Sequence, residues 1–217
     1  CSLARIPEIE WLIQITFLTC ASLVGLFAGN VLVVDRNRRL MIKLMVFNFG
    51  IGFAYFLVEI VLMQSFHAVF LSPTSCLVLV LGVLLCGSAI GGLLAGRVSP
   101  LTAVVTLAPL LLFSLLLPDW AIAQGWSSSW TMCLGIALIF AVGANMGVFF
   151  PAGLLWAQRC QKRAWIPHLF AINAAAGSLA TVVSLYLAIQ FGYIWTMAIA
   201  LLAYLAAAMV LHVASSQ

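Results

Sequence analysis

Charge is scarce in this chain. Of 217 residues, nine are Lys or Arg and five are Asp or Glu, 6% in all. A soluble domain covers itself with several times that share, so a water-facing globular surface is excluded. Cysteine is present but never clustered. Cys1, Cys20, Cys76, Cys86, Cys133 and Cys160 stand singly, with no CxxC pair and no metal-ligand spacing. They read as small buried apolar residues rather than a metal or redox centre. Also lacking are a GxGxxG after a strand, a P-loop, an HExxH and a nucleophile elbow. No catalytic constellation and no cofactor is therefore expected. The net charge of +4 belongs to a membrane-topology pattern, so no nucleic-acid partner is expected either.

Long apolar runs fill the chain instead. It is 65% hydrophobic, with a mean hydropathy of +1.23. The runs are about 20 residues long, enough for a helix to cross roughly 30 Å of hydrocarbon. The expectation is an all-α polytopic membrane bundle forming one domain over residues 1–217. Seven spans are predicted, at about 11–34, 44–66, 74–96, 101–117, 130–150, 169–190 and 194–213. Span four is short and carries Pro109, which leaves six spans as the alternative.

Arg36, Arg38, Arg39 and Lys43 follow span one, Arg97 follows span three, and Arg159, Lys162 and Arg163 follow span five. Eight of the nine basic residues thus fall on one side, and Arg5 alone on the other. By the positive-inside rule the N-terminus lies outside and the C-terminus inside, as in a bacterial cytoplasmic membrane. All seven tryptophans fall at span ends or in loops, where an indole keeps its N–H in the headgroup region. The segment from Pro151 to Pro167 either extends span five or lies along the interface. A chain that opens on Cys1 reads as a cut from a longer polypeptide, with a processed or lipidated N-terminus as the other options.

A single acid, Glu59, lies within the hydrocarbon. Glu8 and Glu10 precede span one, and Asp35 and Asp119 sit at span ends. A carboxylate at membrane depth costs several kcal/mol unless it is paired, hydrated or protonated. Helical spacing sets Asn48, Gly52, Tyr55, Glu59 and Met63 on one stripe, which is predicted to face the bundle. Glu59 then reads either as a proton or cation site or as a neutral carboxyl that fixes packing. Gln64, Asn145 and Asn173 are further polar candidates. Small residues mark helix contacts at Gly87-x-x-x-Gly91, Gly92-x-x-x-Gly96 and Gly143-x-x-x-Gly147. His168 and His212 lie near the inner face, and haem ligation by the pair is a minor alternative.

Several segments carry a family resemblance. Phe49 to Phe66, FGIGFAYFLVEIVLMQSF, resembles the GLGFMFVEIALIQRF-type segment of multi-pass bacterial spermidine-synthase-like proteins. The stretch from His67 to Arg97 has the family's short turn, Ser72-Pro73, before a Gly/Ser-rich helix. Gly147 to Gly153, GVFFPAG, is similar to PFPLG, and Pro167 to Ser178, PHLFAINAAAGS, resembles PWAWAINGAAS. In that family a Rossmann-type domain is fused to membrane helices. The resemblance implies a membrane portion lacking that domain, so no catalytic residue carries over. Glu59, Gln64, Pro151 and Asn173 match membrane motifs whose chemistry the family does not reveal. A domain fused before Trp11 would lie outside, away from cytoplasmic S-adenosyl substrates, and would not be a working polyamine synthase there.

The expected role is thus a non-catalytic membrane module: an anchor, scaffold or assembly subunit in the bilayer, holding partner subunits or an upstream domain. The alternatives are a transporter or channel for a proton, small cation or polyamine at Glu59, and a subunit of a membrane electron-transfer complex.

Overall fold

The computed structural model describes residues 38–70 and 72–215, and ahead of them residues 11, 14–19, 21, 22, 25 and 29. The expected first span, 11–34, lies in large part outside the described residues. The helices are α1 (Arg38–Phe66), α2 (Pro73–Leu94), α3 (Pro100–Ala123), α4 (Ser128–Gly147), α5 (Phe149–Arg159), α6 (Ile166–Phe191) and α7 (Tyr193–Ser215), with a 3-10 turn at Arg163–Trp165 before α6. Among the described residues there is no strand. Among the described residues six stretches are long and apolar enough to cross a membrane: Arg39–Phe66, Pro73–Leu94, Pro100–Ala123, Ser128–Arg159, Arg163–Phe191 and Tyr193–His212. The protein is a polytopic helical membrane bundle.

Three span limits differ from the sequence expectation. The second span begins at Arg38 rather than near Leu44, so the basic segment before it is helical. The fourth span runs on past Leu117 to Ala123, with Pro109 and Pro118 both inside the helix. It is therefore long enough to cross. Helix also continues past Phe150, because α5 follows α4 after a break at Val148 alone and carries the chain to Arg159.

Local chemistry sets the helix starts. Ser72-Pro73 and Ser99-Pro100 repeat one device. Each serine side chain accepts a hydrogen bond from a backbone N–H three residues on, Ser75 at 3.1 Å and Thr102 at 3.1 Å. Each proline occupies the first turn, where its missing N–H costs nothing. Between α6 and α7 a single residue, Gly192, makes the turn at φ +87°, a conformation that side chains with a Cβ resist.

α1 is the hub. From Phe47 to Phe66 no residue on it is exposed, and it packs chiefly on α6 and α7. α2 packs chiefly on α4, and α3 lies against α4 and α7. Lipid supplies no hydrophobic drive between helices, so these contacts depend on close fit and hydrogen bonds. Three α1 phenylalanines lie over glycines of neighbouring helices. A Cβ added at Gly135 would meet Phe66 Cε1 at 2.6 Å, one at Gly177 would meet Phe56 Cδ2 at 2.5 Å, and one at Gly153 would meet Phe47 Cδ1 at 2.9 Å. Phe47 also meets the Trp156 ring edge-on, with centroids 6.2 Å apart.

The α2–α4 seam is tighter still, because backbone meets backbone. A Cβ at Gly87 would lie 3.0 Å from the Ala144 amide nitrogen, and one at Gly91 would lie 2.8 Å from the Ala144 carbonyl carbon. From the other side, a Cβ at Gly143 would meet the Leu84 carbonyl carbon at 3.1 Å, and one at Gly147 would meet Ser88 Cα at 2.6 Å. Both GxxxG motifs thus face each other across one seam. The Gly92–Gly96 motif behaves differently. Gly92 has ordinary room, 3.5 Å to Pro151 Cγ, and nothing lies within 4 Å of a Cβ at Gly96.

Candidate functional site within the bundle

A cavity of about 480 Å³ opens where α1, α2, α6 and α7 meet the break between α4 and α5. Its walls are mostly apolar, including Phe56, Leu85 and Phe150, with four hydrogen-bonding residues among them: Tyr55, Ser88, Asn173 and Tyr204. Glycines make the room. Gly52 leaves space for Asn173, whose Oδ1 would lie 2.6 Å from a Cβ there.

The polar groups form a short chain. The Ser88 hydroxyl donates to the Gly143 carbonyl at 3.2 Å, tying α2 to α4. That uses its one hydrogen, so the Tyr55 hydroxyl, 3.3 Å away, is the donor to Ser88. Tyr204 is 1% exposed, and its ring packs on Phe149 with centroids 4.8 Å apart. Among the described residues neither the Tyr204 hydroxyl nor the Asn173 side-chain amide forms a hydrogen bond. The cavity therefore offers neutral hydrogen-bonding groups on an apolar wall, a combination suited to a small, largely apolar molecule.

The predicted stripe on α1 is buried but divided. Gly52 meets Asn173 on α6, and Tyr55 reaches Ser88 on α2. Asn48 is fully buried; its Nδ2 donates to the Leu44 carbonyl of its own helix at 2.8 Å, and its Oδ1 has no partner. Glu59 follows one turn after Tyr55 and is 7% exposed, so it is directed into the bundle. Among the described residues no hydrogen bond or ion pair reaches it, and it does not line the cavity. Gln64 lies near the far end of α1 with its Oε1 buried and unpartnered.

Asn145 belongs elsewhere. Its Oδ1 accepts a short hydrogen bond from the Thr106 hydroxyl, and its Nδ2 donates to the Ala141 carbonyl at 2.8 Å. That joins α3 to α4. The structure thus brings Tyr55 and Asn173 together at one cavity and leaves Asn48, Glu59, Gln64 and Asn145 apart. Sequence reasoning missed Ser88, Thr106 and Tyr204. Tyr204 carried a signal, since a tyrosine in mid-span, away from the interface, needs an interior polar surrounding.

The two histidines occupy different surroundings. The His168 ring packs tilted against Trp165, centroids 4.8 Å apart, with its Nδ1 buried and unpartnered. His212 instead lines a second cavity, with Arg159 and Trp156. Among the described residues no group of three His, Cys, Asp or Glu side chains is placed to hold a metal ion. Comparison with known protein families, with curated proteins and with solved structures finds no match to this chain.

Proposed function

We propose that this chain is a non-catalytic membrane module, an anchor or assembly subunit that holds a partner subunit or an upstream domain at a bacterial cytoplasmic membrane. The observation that carries this reading is the use of the intramembrane polar groups. Asn145 is committed to Thr106, Tyr55 to Ser88, and Ser88 to Gly143. They join helices rather than converge on Glu59, and the titratable group nearest to it along α1, the Tyr55 hydroxyl, is itself bonded to Ser88. We read a carboxyl so placed as a packing group rather than a transport site. The resemblance of Phe49–Phe66 and Pro167–Ser178 to the membrane part of spermidine-synthase-like proteins supports the same role.

The test is purification in mild detergent, with mass spectrometry of stoichiometric copurifying chains. Wild type and Glu59→Gln should retain the same partner, because the amide keeps the size and hydrogen-bonding capacity of a neutral carboxyl. A chain that purifies alone from its native membrane would overturn the proposal.

One observation favours a second reading. The cavity beside Tyr55 lies within a turn of Glu59, so a proton, small cation or polyamine moving through it would meet that carboxyl. Flux that depends on Glu59 would support transport instead.

A further inference from the structure

The second cavity lies at the basic end of the bundle and has a different character. It holds about 500 Å³ between the turn after α2, the start of α3, α5 and the end of α7. Its space comes from small residues, with Ala95, Gly96, Ala152 and Ala208 in the wall. Arg159 and His212 line it together with the apolar side chains of Leu101, Leu155 and Leu211. Trp156 also lines it and is otherwise buried.

Arg159 has no counter-ion among the described residues. Among the described residues the only carboxylates are Glu59, in mid-bundle, and Asp119, near the opposite end of α3. Arg159 is exposed, and among the described residues it has no ion pair or hydrogen bond. Arg97 and Arg163 belong to the same end and add to the positive field. A cationic rim over an apolar wall, at the end of membrane-length helices, matches a molecule with an anionic head and a hydrocarbon tail.

We infer that this cavity seats one anionic phospholipid. Its phosphate lies against the Arg159 guanidinium, and part of one acyl chain runs along Leu101, Leu155 and Leu211. The site is independent of the anchor or transport reading, since neither Tyr55 nor Glu59 lines it.

Gly96 makes the site testable without damage to the fold. Nothing lies within 4 Å of a Cβ there, so Gly96→Leu fills the cavity instead of forcing helices apart. The experiment is native mass spectrometry of the delipidated full chain, titrated with phosphatidylglycerol or with phosphatidylcholine of the same acyl chains. Wild type should bind one phosphatidylglycerol in preference to phosphatidylcholine. Arg159→Gln should lower phosphatidylglycerol affinity about fivefold, the worth of one basic residue beside an anionic headgroup. Arg159→Lys should restore most of it, and Gly96→Leu should remove the bound lipid. If Gly96→Leu does not fold, the Arg159 pair decides alone.

Equal binding of the two lipids, or unchanged binding in Arg159→Gln, would overturn the inference. So would displacement of phosphatidylglycerol by millimolar inorganic phosphate, which would make the site one for a free anion.

Discussion

The α2–α4 seam makes the sharpest prediction. A Cβ at Gly91 would sit 2.8 Å from the Ala144 carbonyl carbon and closer still to its oxygen. Non-bonded carbons rest at about 3.5–4.0 Å, so α2 must withdraw from α4 by roughly 1 Å to admit one methyl group. Backbone cannot swing aside as a side chain does. The withdrawal also stretches the Ser88–Gly143 bond, now 3.2 Å, beyond useful reach. Overpacking costs about 1–3 kcal/mol, and an interhelical hydrogen bond in a bilayer about 0.6 kcal/mol. Gly91→Ala should therefore destabilise the bundle by about 2–4 kcal/mol. Gly92→Ala is the control one residue away. Its Cβ meets Pro151 Cγ at an ordinary 3.5 Å, and it should stay within about 0.5 kcal/mol of wild type. Reversible unfolding of the purified chain in mixed micelles, followed across a range of dodecyl sulfate, measures both. Equal stability of the two variants would refute the backbone-contact argument.

The phenylalanine sockets predict coupling: Gly177→Ala should cost about 1–3 kcal/mol, and Phe56→Leu in the same chain should recover part of it. Additive effects in that double-mutant cycle would show that the ring and the glycine do not meet. Thr106→Val and Asn145→Leu should each cost about 0.6–2 kcal/mol. Together they should cost less than their sum, since both remove the same α3–α4 bond; simple additivity in the unfolding assay would contradict it. Orientation is checked with single cysteines in a cysteine-free background. An impermeant maleimide should label Ser128→Cys in intact cells and Cys160 only after permeabilisation, and the reverse pattern would invert the topology.

The six spans among the described residues were legible because hydropathy, lysine and arginine placement, and tryptophan mark them with different residues. What was not legible follows from the solvent. In water a helix shows its buried face by a polar opposite face. In lipid both faces are apolar, so nothing in α1 marked it as the hub. Glycines were the remaining signal, and only partly a readable one. Gly87, Gly91, Gly143 and Gly147 showed that close approach was coming, but not that the two motifs meet each other. Gly135 and Gly153 stand outside any four-residue spacing used to predict contacts, and their partners Phe66 and Phe47 are distant in sequence. Gly96 shared the motif spacing, yet it lies in the turn beyond α2 and faces open space. The fourth span was expected to end near Pro118 and Asp119, but a proline inside a membrane helix is tolerated when neighbours pack around it, and Pro118 is buried. The polar stripe on α1 was drawn from spacing alone. Because α1 is surrounded, successive members of the stripe reach different helices.

The central claim is that Glu59 packs the bundle and carries nothing across it. Reconstitution of the purified chain into liposomes with an internal pH dye tests this most directly, under an imposed proton gradient and with external potassium, sodium or spermidine. The account predicts flux no greater than that of protein-free liposomes, in wild type and Glu59→Gln alike. Proton or cation flux in wild type that disappears in a folded Glu59→Gln chain would contradict it.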